Sequence, residues 1–171
     1  SVGMGVVYTH TTNGEPLRAI SGIDRLALIN TYYRTHHTAL TRMADESLEH
    51  HGRCLIIDCH SFPAKPLPYE SDMNRPDICI GTDAYHTSAE LKNCLLKVFE
   101  AFGYRVAIDS PFSGTIVPLK HYHKDKRVAS VMIEVNRSLY ASPSGFKRVQ
   151  SDLTHAIMQA AYLRQALADL K

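Results

Sequence analysis

Two short runs constrain this chain more than anything else in it. Cys54-Leu-Ile-Ile-Asp-Cys-His60 and Val128-Ala-Ser-Val-Met-Ile-Glu-Val-Asn136 are almost continuously apolar until they end in polar residues. A strand covered on both faces reads this way, and in layered α/β proteins the carboxyl edge of such strands carries the chemistry. Around them the pattern is helical. From Ile23 to about His51, Leu26, Asn30, Tyr33, His37, Leu40 and Ala44 recur at helical spacing, with Gly52 as the stop. Thr87-Ser-Ala-Glu90 is a capping box for a helix running to Phe102, with Gly103 behind it, and Phe146–Leu170 closes the chain as an amphipathic helix. Gly5–Thr9, Asp77–Gly81 and Tyr104–Asp109 are further strands, residues 63–76 a Pro-rich loop, Pro111–Asp125 a second loop and Arg137–Gly145 a turn. Helices alternating with strands predict one α/β domain over residues 1–171, with helices on both faces of a mostly parallel or mixed sheet.

With 171 residues the chain can bury a full core. A hydrophobic share of 44% and a charged share of 21% exclude disorder by composition. No apolar run approaches the ~18 residues of a membrane span, and the first ten residues lack the pattern of a signal peptide. A net charge of +2 produces no field that would favour nucleic acid or a membrane surface. Cys54, Cys59, Cys79 and Cys94 form no CxxC pair and sit in apolar stretches, so they read as reduced, buried thiols of a cytoplasmic protein. The unusual count is histidine, 10 in all, which directs attention to metal or acid–base chemistry.

Strand alternation puts Asp58 and His60 on one side of the first run, where it meets a loop. His60 is either a metal ligand oriented by a neighbouring carboxylate or a hydrogen-bonded structural histidine. Glu134 lies inside an apolar strand on the same face as Asn136. It is either a general base with a raised pKa or the partner of an arginine, with Arg137 nearest. Gly114, in the loop after a strand end, would let the backbone come close to a ligand. His37 shares a helix face with Tyr33 and Leu40, more in the manner of a core residue than a catalytic one. His121 and His123 read as solvent-facing loop residues, and His86 as a surface or cap residue.

Taken in order, GVVYTHTTNGEPLR, YYRTHHTAL, LIIDCHSFP, DICIGTD, DSPFSGTIVP and VMIEVNRSLY resemble the N-formylglutamate amidohydrolase family over roughly residues 5–140. The resemblance implies a phosphorylase/hydrolase-like fold related to the zinc carboxypeptidases. It also implies hydrolysis of N-formyl-L-glutamate, a small-molecule substrate, to formate and L-glutamate in bacterial histidine degradation. His60 then matches a zinc ligand and Glu134 the base that activates water, with Asp58 and Ser61 supporting the histidine. Arg137 and Arg75 suit the substrate carboxylates, Asn136 and Gly114 join them in binding substrate, and His37 matches a helix histidine facing the cleft. The segment carrying the family's other zinc ligands is not found, so those ligands are expected upstream of Ser1, and the chain corresponds to the C-terminal two-thirds of the family's catalytic domain. Two other functions stay open: a related N-acyl amino acid deacylase, and a non-catalytic domain of the same fold.

Overall fold

The computed structural model describes residues 5–19, 21–68, 70 and 75–169. Its elements run α1 (Gly22–Leu28), a π-helical segment (Ile29–Arg34), α2 (Thr35–His51), β1 (Cys54–Phe62), β2 (Ile78–Gly81), α3 (Ala89–Ala101), β3 (Val106–Ile108), β4 (Val128–Asn136), a 3-10 turn (Arg137–Tyr140) and α4 (Pro143–Asp169). The sheet order is β1-β4-β2-β3. β1 with β4 and β2 with β3 are parallel, while β4 and β2 are antiparallel, so the sheet is mixed.

Residue parity assigns the two faces. Odd-numbered Ala129, Val131, Ile133 and Val135, with Leu55 and Ile57, pack against Leu91, Leu95 and Phe99 of α3 and Ala156 and Ala160 of α4. Leu91 and Leu95 are wholly buried, and each large apolar side chain removed from water contributes roughly 1.5–3 kcal/mol. Even-numbered Cys54, Ile56 and Val128 face the other way, onto Ala44 and Leu48 of α2 and onto Val117. Helices therefore cover both faces, as expected. On the second face, however, only the last turns of α2 reach the sheet. Ala44 is the buried residue of α2, and none in α1 or the π segment is buried. Beyond Ile56 the even face has no helix over it from this cluster, and there Asp58, His60 and Glu134 emerge.

The loop after β3 partly roofs this face. Asp109 adopts φ 53° and ties the ends of β2 and β3 together, its carboxylate accepting from the Thr82 N–H at 2.7 Å and the Thr82 hydroxyl at 2.6 Å. Farther on, the Cys79 thiol donates to the Phe112 carbonyl at 3.2 Å. The Ser130 hydroxyl donates to the Ile116 carbonyl at 2.7 Å.

Several local expectations are corrected. Residues 5–9 form no strand; residues 5–7 are bends, Tyr8 is a single bridge residue, and an isolated bridge joins His10 to Pro16. The expected continuous helix to His51 is interrupted by the π segment. The α3 cap is Ser88, which accepts from the Leu91 N–H at 3.2 Å, because Thr87 spends its hydroxyl on the Ser130 carbonyl. Helix α4 starts at Pro143 instead of Phe146, since proline suits a first helical position. Cys54 and Cys79 are buried as expected, but Cys59 is exposed; all four thiols are free.

Candidate active site

The register of the parallel β1/β4 pair sets Asp58 opposite Met132, His60 opposite Glu134 and Phe62 opposite Asn136. Side chains opposite one another in a ladder share a face, so Asp58, His60 and Glu134 converge near the carboxyl end of both strands. His60 Nε2 lies 2.9 Å from Asp58 Oδ1. A carboxylate can only accept in that contact, so Asp58 favours the tautomer with hydrogen on Nε2 and leaves the Nδ1 lone pair free. The His60 side chain is 52% exposed and that of Asp58 22%.

Glu134 is only 7% exposed, and its Oε2 has no hydrogen-bond partner. Burial raises its pKa, with Asp58 adding to the rise and His60 and Arg137 opposing it. The arginine-pair alternative is not what the side chains form. Arg137 is exposed and donates from Nε to Ser61 Oγ and from Nη2 to the Ser61 carbonyl, both at 3.1 Å. Ser61, odd-numbered, sits on the face away from His60 and serves Arg137 instead of the histidine.

Arg75 is buried beside the same strand ends. It pairs with Glu70 through Nη2 and lies over the rings of Phe62 and Phe112, at 5.6 and 5.8 Å from their centroids. Its Nε and Nη1 have no partner among the described residues. Neither aromatic ring nor Glu70 was anticipated; Phe62 could have been, because it continues the even-numbered row from Asp58 and His60.

Three expected substrate contacts are placed otherwise. The Asn136 amide is used within the fold, donating to the Pro76 carbonyl at 3.1 Å and accepting from the Ser138 N–H and hydroxyl at 3.1 and 2.8 Å. Gly114 has φ 87° and nothing within 4 Å of a Cβ built on it, so its conformation requires glycine and no close approach does. The close approach is at Gly81, where an added Cβ would land on the Gly114 carbonyl oxygen and the Met132 methyl group. His37 stacks on Tyr33 with centroids 4.1 Å apart and lines a groove of about 580 Å³ along α2, whose lining includes neither His60 nor Glu134.

Two histidines expected at the surface are buried. His121 meets Asp45 at 2.8 Å, and His86 bonds the Val128 carbonyl at 2.7 Å through Nδ1 and accepts the His123 N–H at 2.8 Å. Their partners lie 76, 42 and 37 residues away along the chain, so no local pattern reveals them.

A catalytic zinc normally takes three protein ligands and keeps one position open. Among the described residues no group of three or more His, Cys, Asp or Glu could hold a metal ion. His60 with its Asp58 partner has the form of one ligand, not of a complete set. Among the described residues, no helix is long and apolar enough to cross a membrane.

Comparison with known proteins gives a consistent picture. The sequence profile of a family described as N-formylglutamate amidohydrolase matches residues 1–141. An N-formylglutamate deformylase of Pseudomonas putida is 29% identical over 133 residues, which cover 74% of this chain and 49% of that protein. The solved structure of N-formylglutamate amidohydrolase from Ralstonia eutropha JMP134 superposes with a TM-score of 0.81 at 25% identity, covering 96% of this chain and 64% of that one. A gene product of Agrobacterium tumefaciens shares the fold, with a TM-score of 0.61 at 16% identity over 94% of this chain and 63% of its own. The chain thus spans about half of the curated relative and under two-thirds of the solved ones.

Proposed function

We propose that this chain, which belongs to the N-formylglutamate amidohydrolase family, carries the general base and one metal ligand of an amide hydrolase acting on N-formyl-L-glutamate or a related N-acyl amino acid. The observation behind this reading is Glu134, a buried carboxylate with an unpartnered oxygen, set directly across the strand ladder from His60 on an open face. Its raised pKa suits a group that accepts a proton from water and returns it.

In this reading Glu134 Oε2 takes the proton of the attacking water and delivers it to the nitrogen of the leaving amine, giving formate and the free amino acid. His60 offers Nδ1 as a zinc ligand while Asp58 holds its Nε2–H. Bound zinc would polarise the amide carbonyl and lower the pKa of water; its other ligands lie outside the described residues. Nε and Nη1 of Arg75, unpartnered among the described residues, suit a substrate carboxylate, and Arg137, anchored on Ser61, stands at the same strand end as a second cation. The incomplete ligand set favours a second reading, a non-catalytic domain of this fold.

Glu134→Gln in the intact protein tests the proposal. Formate release falls by about 10²–10⁴-fold, the usual worth of a positioned acid–base group, while zinc content and folding persist. Near-parent turnover in a folded, zinc-loaded variant would remove Glu134 from the chemistry.

A further inference from the structure

A second constellation lies at the other end of β1. Cys54 opens that strand six residues before His60, roughly 20 Å away at strand rise. There a cavity of about 280 Å³ is lined by Ser47, His51, Arg53, Cys54, Arg164 and Gln165, with Leu55 and Ala161 completing it and no carboxylate among the described residues of the lining.

Among the described residues its two guanidiniums have no counter-charge. Arg164 donates from Nη2 to the Arg127 carbonyl at 3.1 Å, and its Nε is buried without a partner. Arg53 reaches the side-chain oxygen of Gln165, a neutral acceptor. The nearby Arg127 already holds Asp125, donating from Nη2 at 2.8 Å, so that carboxylate is engaged with another arginine. Cys54 cannot compensate either: burial raises its thiol pKa and keeps it neutral. The Ser47 hydroxyl donates to the Arg53 carbonyl at 2.8 Å and is likewise occupied. Arginine does not shed its proton in a protein. Two cations therefore face one cavity, and an unsatisfied donor is buried beside it.

We propose that this cavity binds a small oxyanion of the phosphate or carboxylate class, held between Arg53 and Arg164. The site is distinct from the His60–Glu134 face and does not depend on any activity assigned to that face. An oxyanion offers several acceptor atoms to two donor forks and supplies the missing negative charge. A ligand that binds only the folded state raises its stability by mass action, so occupancy can be read from melting.

Thermal melting of the intact protein is followed against inorganic phosphate, and separately against acetate, with ionic strength held constant by chloride. A saturable rise with either oxyanion, absent with chloride alone, is expected; whichever anion produces it identifies the ligand class. Arg53→Gln and Arg164→Gln each weaken the half-saturation by about tenfold or more, the loss expected for a charge-assisted contact. Formate release, where the intact protein has it, stays at the parent level in Arg53→Gln. Should Arg164→Gln fail to fold, Arg53→Gln decides alone. No saturable rise, the same rise with chloride, or an unchanged half-saturation in Arg53→Gln overturns the proposal.

Discussion

Burial withholds from ionised Glu134 the hydration it has in the unfolded chain, and His60 and Arg137 make good only part of it. Its folded pKa lies above the ordinary value of 4.5, so between those two values the folded state binds more protons than the unfolded state. Stability therefore falls as pH rises from 4.5 through that window, and above the window the whole of this cost bears on the fold. Glu134→Gln should accordingly melt higher than the parent at neutral pH, the gap closing on acidification toward 4.5. A variant that melts lower at neutral pH would point to a structural partner for the carboxylate. Asp58→Asn in the intact protein keeps the size but removes the charge that favours the Nε2–H tautomer of His60. It should lower zinc retention or turnover by about 10–100-fold, and unchanged values would assign the orientation of the ring to another group. Both residues were legible because a strand alternates: Asp58 and His60 had to share a face, and Glu134 had to interrupt an apolar one. Arg75 was legible only as a cation. Nothing in its Pro-rich surroundings signals that Phe62 and Phe112 enclose it, since the latter arrives from a loop after β3.

The loop between β3 and β4 is held to the sheet by contacts that leave no spare volume at Gly81. Gly81→Ala pushes a methyl group against the backbone oxygen of Gly114 and the flexible end of Met132. Met132 can move, but a backbone carbonyl cannot without moving its loop. The expected cost is about 1–3 kcal/mol, read as a shift in the urea midpoint at constant slope, together with reduced turnover in the intact protein because the loop lies over the Glu134 face. A midpoint within error of the parent would mean that the loop yields freely. Most elements were readable from spacing and caps, and their errors have local physical causes. Thr87 looked like the cap of α3 but donates across to β4, leaving Ser88 to cap. The stretch from Gly5 to Thr9 has strand composition, yet no described strand pairs with it, and composition without a partner does not make a sheet.

At the scale of the whole molecule, α/β layering followed from alternating patterns, whereas the antiparallel step between β4 and β2 did not. Parallel and antiparallel partners present the same apolar run, so direction emerges only when the chain is traced. The molecule places one histidine and one candidate base together without three ligands among its described residues. On the proposed reading, this chain by itself retains little zinc after desalting, and what it retains depends on His60. Stoichiometric zinc that survives desalting would show that the chain completes a site unaided.

Among the described strands β1 is the outer one of the sheet and pairs with β4 alone. The Cys54 N–H donates to the Arg127 carbonyl, and in a parallel ladder the same residue parity then repeats inward along the strand. The amides of Ile56, Asp58 and His60 are directed into the ladder, while those of Leu55, Ile57 and Cys59 point away from β4. Within one strand, hydrogen exchange should therefore alternate residue by residue between slow and fast. The slow set is the one that bears the chemistry, so fluctuations that loosen the outward amides leave the backbone beneath His60 in place.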